Sequence, residues 1–225
     1  MYIIRNSPLI EQSQTILEID AGVIEKAILN LAAEYKITID EKPYLDHKAV
    51  YLSHFHLAEN QAAARLTSLI NASQKIRKMD IDKAIPWVQE KLSITLAEKQ
   101  FEAVKSAVEH KVMIITGGPG TGKTTIINAV LKIFAAVKAK ILLAAPTGRA
   151  AKRMTESTGH EAKTIHRLLE FNMKKGGFQK NDETPLDCDI LIIDEASMID
   201  IILMHHLLKA VPISATLILV GDVNQ

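Results

Sequence analysis

The 225-residue chain is 48% apolar, 24% charged and 4% aromatic, the balance of a soluble globular protein. Its single cysteine, Cys188, excludes an internal disulfide and a cysteine-cluster zinc site. It has no amino-terminal signal peptide and no apolar run approaching ~18 residues, so a cytoplasmic protein with no membrane partner is expected. The net charge of +1 hides an asymmetry: residues 138–180 hold ten Lys/Arg against three Glu. That excess suits either a polyanionic partner or a solvated basic face.

In chain order, residues 23–35 and 54–76 have helical apolar spacing and flank an extended stretch, 36–52. Within that stretch Ile37/Ile39 and Val50 to Leu52 suit a two-stranded wing with Pro43 at its turn. Residues 1–92 are therefore expected to form a small, mainly helical or winged-helix-like module. Pro86 marks an expected hinge before a helix over 96–110.

From residue 93 the pattern changes. Apolar runs at 112–116, 140–145, 189–193 and 216–220 read as strands buried on both faces. Helical patterns at 124–137, 147–157, 164–171 and 199–209 alternate with them, and 172–186 reads as a surface loop. The expectation for 93–225 is an α/β domain with a mainly parallel sheet. Nine of the ten glycines fall between Gly117 and Gly221, whereas only Gly22 precedes them.

The sharpest chemical signal is Gly117-Gly118-Pro119-Gly120-Thr121-Gly122-Lys123-Thr124 between a strand and a helix, which matches the G-x-x-x-x-G-K-[ST] phosphate-binding loop. Glycines let backbone N–H groups close on a phosphate, and the following helix turns its positive end toward the anion. Lys123 is the expected β/γ-phosphate contact and Thr124 the expected Mg²⁺ ligand. A second strand ends in Asp194-Glu195. Asp194 is the candidate to complete the Mg²⁺ site and Glu195 to orient and deprotonate water; helix capping is the alternative for Asp194. The second carboxylate favours hydrolysis of a nucleoside triphosphate over transfer to a small acceptor. A third strand leads into Gly221-Asp222-Val223-Asn224-Gln225, which makes Gln225 a candidate for the γ-phosphate or the attacking water.

Several segments together resemble one family. Gly117 to Thr124 with Thr125, Ala145-Pro146-Thr147-Gly148-Arg149-Ala150-Ala151, Thr164-Ile165-His166-Arg167-Leu168-Leu169, Asp194-Glu195-Ala196-Ser197-Met198 and Gly221-Asp222-x-x-Gln225 resemble motifs I, Ia, Ib, II and III of superfamily 1B DNA helicases. The likeness is to the RecD/TraA branch. Leu96-Ala97-Glu98-Lys99-Gln100 resembles the family's Q motif, whose glutamine recognises adenine. The resemblance implies a RecA-like P-loop NTPase domain that hydrolyses ATP with Mg²⁺ and moves 5′ to 3′ along single-stranded DNA. It implies Gln100 at the base; Gly118, Pro119, Gly120, Thr121, Gly122, Lys123, Thr124 and Thr125 at the nucleotide; and Gln225 as the γ-phosphate sensor. Pro146, Thr147, Arg149, Thr164 and His166 become candidates for contact with the DNA strand, with a buried or helix-capping histidine as the alternative at His166.

The family's motor uses two RecA-like domains, the second supplying arginines for the transition state, and the sequence ends at Gln225. The reading is thus of the amino-terminal part of such an enzyme, with 1–92 as a module for protein partners and 93–225 as the first motor domain. Two rivals remain: another P-loop enzyme of kinase or GTPase type, and a non-catalytic docking module for DNA or protein. An Asn-Lys-x-Asp guanine-reading motif does not occur. His54/His56 and His205/His206 lack the i, i+4 spacing of metal ligands, and Cys188, just before an apolar strand, reads as inert.

Overall fold

A computed structural model of the chain describes residues 4–40, 48–73 and 79–222, with side chains from residue 8 onward. The chain divides into two compact units, residues 1–61 and 62–225. The division falls inside a helix, earlier than the 92/93 boundary expected from the sequence.

The first unit contains β1 (Ile4–Arg5), α1 (Asn6–Leu17), α2 (Ala21–Ala33), β2 (Ile37–Asp40), β3 (Ala49–Leu52) and the opening turns of α3 (Ser53–Asn71). Asp20 starts α2 by accepting the Gly22 N–H at 2.8 Å, and Ile24 and Ile28, four apart on one face, are buried. The two expected strands pair antiparallel with Ile39 opposite Val50. The third strand, β1, joins the other side of β3 and was not read, since two residues carry no period. Pro43 lies outside the described residues.

The second unit continues with α4 (Ile81–Leu92), α5 (Glu98–Glu109), β4 (Val112–Thr116), α6 (Lys123–Ala136), β5 (Ile141–Ala145), α7 (Gly148–Thr158), β6 (Ala162–Thr164), α8 (Ile165–Leu168), β7 (Phe171–Asn172), β8 (Gly177–Phe178), β9 (Ile190–Ile193), α9 (Ile201–Ala210) and β10 (Thr216–Gly221). Pro86 is not a hinge: α4 runs through it. The helix bond that a proline cannot donate is outweighed by Ile85 and Val88, both fully buried against α5 and α6 residues such as Val104 and Val130.

Five strands form one parallel sheet in the order β4-β10-β9-β5-β6. Alternate side chains enter opposite layers, as strand geometry requires. Ile190 and Ile192 of β9 pack with Ile218 and Val220 of β10 under α4 to α6, while Leu191, Ile193, Leu217 and Leu219 pack under α9, α8 and the second half of α3. Burial on both faces explains the unbroken apolar runs. At the amino end of the sheet the Lys111 ammonium donates to Ala215 O at 2.7 Å and Ile213 O at 3.0 Å, and desolvation pulls its pKa down. Arg65 donates to Leu208 O and Val211 O, at 3.2 and 2.8 Å, satisfying carbonyls at the end of α9.

Two expectations are corrected between residues 164 and 186. The helix expected over 164–171 is a single turn, α8, followed by Glu170 with φ of 53°. The expected loop contains the β7/β8 hairpin, with Phe171 opposite Phe178, because Gly176 and Gly177 supply the positive φ the turn needs. His166 and His206 both lie against Phe178, with ring centroids 5.5 and 4.7 Å away.

Ile192→Ala should destabilise the protein by about 2–5 kcal/mol, whereas Ile114→Ala, on an exposed position of the edge strand, should change stability by less than about 0.5 kcal/mol; urea unfolding measures both. Burial first, then the neighbouring cations His206 and Lys209, hold the His205 pKa below its ordinary value, and His206 is lowered by burial and Lys209. A lowered native pKa means that the unfolded state takes up protons first. Stability is therefore expected to fall as pH drops below about 6.5, and His205→Asn with His206→Asn should flatten that fall in pH-dependent urea titrations.

Candidate functional site

Parallel strands deliver all their following loops to one edge. The loop 117–122 leaves β4, Asp194 and Glu195 leave β9, Pro146 to Arg149 leave β5, His166 follows β6, and Asp222 follows β10. Register sets them level: Thr116 pairs with Gly221, Ile193 with Leu219, and Ala144 with Ile193. With β10 interposed, the phosphate-loop strand and the Asp194 strand stand about 10 Å apart, two strand spacings.

The phosphate loop holds its shape through its own contacts. Thr121 Oγ1 donates to Gly118 O at 2.9 Å, and Gly122, with φ of 83°, turns the chain into α6 without a side-chain cap. A Cβ at Gly122 would collide with Gln100 Nε2, so this position requires glycine twice over. Pro119, Gly120, Thr121 and Thr124 are exposed, while Gly118, Lys123 and Thr125 are half-buried. The Lys123 ammonium folds back onto Gly117 O and donates to Gly118 O at 3.1 Å. An uncapped helix start, a positive-φ glycine turn and an ammonium curled over the loop fit a polyphosphate.

Gln100 bridges two elements. Its Oε1 accepts from Ala97 N at the start of α5, and its Nε2 donates to Thr121 O, both at 3.1 Å. The glutamine is thereby set against the phosphate loop from outside.

Asp194 continues the sheet ladder by donating its N–H to Ala144 O at 3.0 Å, and its Oδ1 accepts Glu195 N at 2.9 Å. Glu195 itself has φ of 53°, a left-handed conformation that costs a non-glycine residue about 1–2 kcal/mol. The turn starts a short 3₁₀ segment, Ala196–Met198. Gly221 lets that segment approach: a Cβ there would stand 3.2 Å from Ser197 N. Gln225 lies outside the described residues.

On the basic side, Thr147 and Thr164 use their hydroxyls as helix caps, accepting Ala150 N and Arg167 N at 3.2 Å. Pro146 is half-buried, and Arg149 and His166 are exposed; the His166 ring stacks edge-on to Phe171 at 5.7 Å. Ala145 pairs with Thr164, which sets these two loops side by side. Sequence reasoning missed one residue here. Arg153, four positions after Arg149 on α7, places Nη2 3.3 Å from Glu195 Oε1. Its i, i+4 spacing from Arg149 was the available signal.

The family described as AAA domain matches residues 100–225. The ATP-dependent RecD2 DNA helicase of Deinococcus radiodurans is 38% identical over 176 residues, covering 78% of this chain and 24% of the relative. The RecBCD enzyme subunit RecD of Mycobacterium tuberculosis is 32% identical over 204 residues, covering 80% and 34%, and that of Haemophilus influenzae is 36% identical over 169 residues, covering 64% and 26%. The chain thus spans a quarter to a third of the length of these curated relatives. A solved structure of Pif1 helicase from Candida albicans overlaps 59% of this chain and 33% of its own at 24% identity, with a TM-score of 0.42. The match over residues 100–225, on a sheet that carries its motifs along one edge, makes the chain a member of the AAA domain family, with RecD chains among its relatives.

Proposed function

We propose that the chain carries a nucleotide-hydrolysing motor domain of an ATP-dependent DNA helicase that moves 5′ to 3′ on single-stranded DNA. The observation that carries this reading is the shared edge: the phosphate loop, Asp194-Glu195 and the basic loops after β5 and β6 leave one sheet on the same side. The names of its relatives, an ATP-dependent DNA helicase and subunits of RecBCD, support it. When bound, Mg-ATP supplies the phosphoanhydride bond to be cleaved and a cation that offsets phosphate charge. The backbone amides of the loop and the first turn of α6 hold the phosphates. The Lys123 ammonium exchanges its carbonyl partners for phosphate oxygens, and Thr124 and Asp194 provide oxygen ligands for Mg²⁺. Glu195 orients the attacking water and accepts its proton. Gln100 reads the adenine edge next to the loop, and Gln225 senses the γ-phosphate.

Arg149 and the loops at Pro146, Thr147, Thr164 and His166 contact the sugar-phosphate strand. With Thr147 and Thr164 committed as caps, Arg149 supplies the charge and His166 the aromatic surface. The relatives' names, a DNA helicase and subunits of RecBCD, support a cytoplasmic place for the protein, with residues 1–92 as a module for protein partners; among the described residues no helix is long and apolar enough to cross a membrane.

Lys123→Ala should weaken Mg-ATP binding at least tenfold, about 1.4 kcal/mol, in titrations with a fluorescent ATP analogue, while leaving urea stability unchanged. Equal competition by GTP would argue against the adenine-reading role. Arg149→Ala should lower oligothymidylate affinity and flatten its log–log salt dependence by about 0.7; an unchanged slope would remove Arg149 from the strand path.

A further inference from the structure

Helix α2 carries more apolar surface than its packing covers. Nine of its thirteen residues are Ala, Val, Ile or Leu, spread around the helix, yet only Ile24 and Ile28 are buried. A surface helix needs one apolar stripe, whereas a helix that is apolar on more than that stripe is suited to being covered. Val23, Ala27 and Leu31, at i, i+4 and i+8, form a second stripe beside the buried one. That stripe is open: Val23 is 57% and Leu31 37% exposed, and Ala27 is exposed as well. The end of α1, just before α2 in the chain, leaves Ile16 and Leu17 uncovered too. Carboxylates bracket the stripe. Asp20 and Glu34, the residues that cap α2, fall on its line at either end; both are exposed, and at 1.5 Å of rise per residue they stand about 21 Å apart. From Asn6 to Glu34 there are five acidic side chains and a single basic one, Lys26.

We propose that this face of α2 is the docking site for a basic, amphipathic helix of a partner protein. The proposal rests on the reading of residues 1–92 as a module for protein partners and adds the chemistry of the partner. The small Ala27 between Val23 and Leu31 lets a second helix come close along α2, and the partner's own apolar stripe fills the space. Lysines or arginines at the two ends of that stripe meet Asp20 and Glu34 and fix its position along α2. Charge decides against the other occupants. A nucleic-acid strand or an anionic lipid surface is repelled by an excess of carboxylates. A second copy of the same face would set that excess against itself. Both carboxylates keep their present roles when the partner binds. Asp20 Oδ1 accepts the Gly22 N–H at 2.8 Å, and an ionised carboxyl has acceptor sites left for a cation. Glu34 stands 2.7 Å from Lys36 Nζ in a pair that is more than half exposed on both sides, and so weak a pair leaves the carboxylate open to a second cation.

The test uses the whole 225-residue chain and a fluorescein-labelled peptide of roughly 20 residues, long enough to be helical, with leucines at i, i+3, i+4 and i+7 and lysines elsewhere. Anisotropy titrations should show saturable binding, and the matched peptide with glutamate in place of lysine should bind at least about tenfold more weakly. Val23→Gln with Leu31→Gln, which keeps helix propensity, should weaken the lysine peptide by about tenfold or more, with the urea midpoint and Mg-ATP binding unchanged. Asp20→Asn with Glu34→Gln, which keeps the amino-terminal cap, should weaken it about two- to fivefold at low salt and reduce its salt dependence. Hydrogen exchange locates the contact: slowed exchange over residues 21–33 is expected. Protection elsewhere within 4–61 overturns the assignment to α2 and leaves the protein-partner reading standing; protection confined to 62–225, or no binding, overturns both. Equal binding of the two peptides, or wild-type affinity in the Val23→Gln, Leu31→Gln variant, also overturns the proposal. So does a dimer in sedimentation equilibrium that this variant dissolves, which gives the face to a second copy, or co-sedimentation with phosphatidylcholine vesicles that it abolishes, which gives the face to lipid.

Discussion

Every strand of the main sheet runs in the same direction, and from this single constraint the placement of the chemistry follows. In a parallel sheet the loops that follow the strands leave by one edge, so the phosphate loop, the paired carboxylates and the basic turns meet without any long excursion. Parallel pairing also demands a crossover after each strand, and the helices that make the crossovers bury both faces. The layers meeting at Ile192 and Leu191 are the mechanical support for the edge where a nucleotide fits.

The interposition of β10 between β4 and β9 gives that edge its breadth. The phosphate-loop strand and the carboxylate strand are separated by one strand that carries a glycine at its end, and Gly221 admits the turn after Glu195 to close range. Three separate segments thus share one small volume, and each depends on a residue without a side chain or on a strained backbone. Gly122, Glu195 and Gly221 are the positions where local conformational preference yields to the demands of the site.

Much of this was legible in the sequence. Five-residue apolar runs with a Gly-rich loop or an Asp-Glu pair behind them specify strands, edge and chemistry together, because burial on both faces and phosphate binding each restrict composition severely. What escaped has a physical reason in each case. β6, Ala162–Thr164, includes a lysine and a threonine and lies at the sheet margin, where one neighbour suffices and no apolar run is needed. The β7/β8 hairpin consists of two-residue strands, too short for alternation to register. Pro86 looked like a break because its cost is local, while the burial of Ile85 and Val88 that offsets it depends on helices distant in sequence. Arg153 carries no motif; only the fold brings it to Glu195.

The opposite edge of the sheet has a different character. There Lys111 staples the approach to β10, Lys140 and Asp187 form an exposed pair at 2.8 Å, and no candidate site residue is found among the described positions. Turns at that margin, such as 137–139 and 212–214, are suitable places to attach a fluorophore or a surface tether. A molecule immobilised through them would present its loop-bearing edge outward, in a known orientation, to nucleotide and strand in solution.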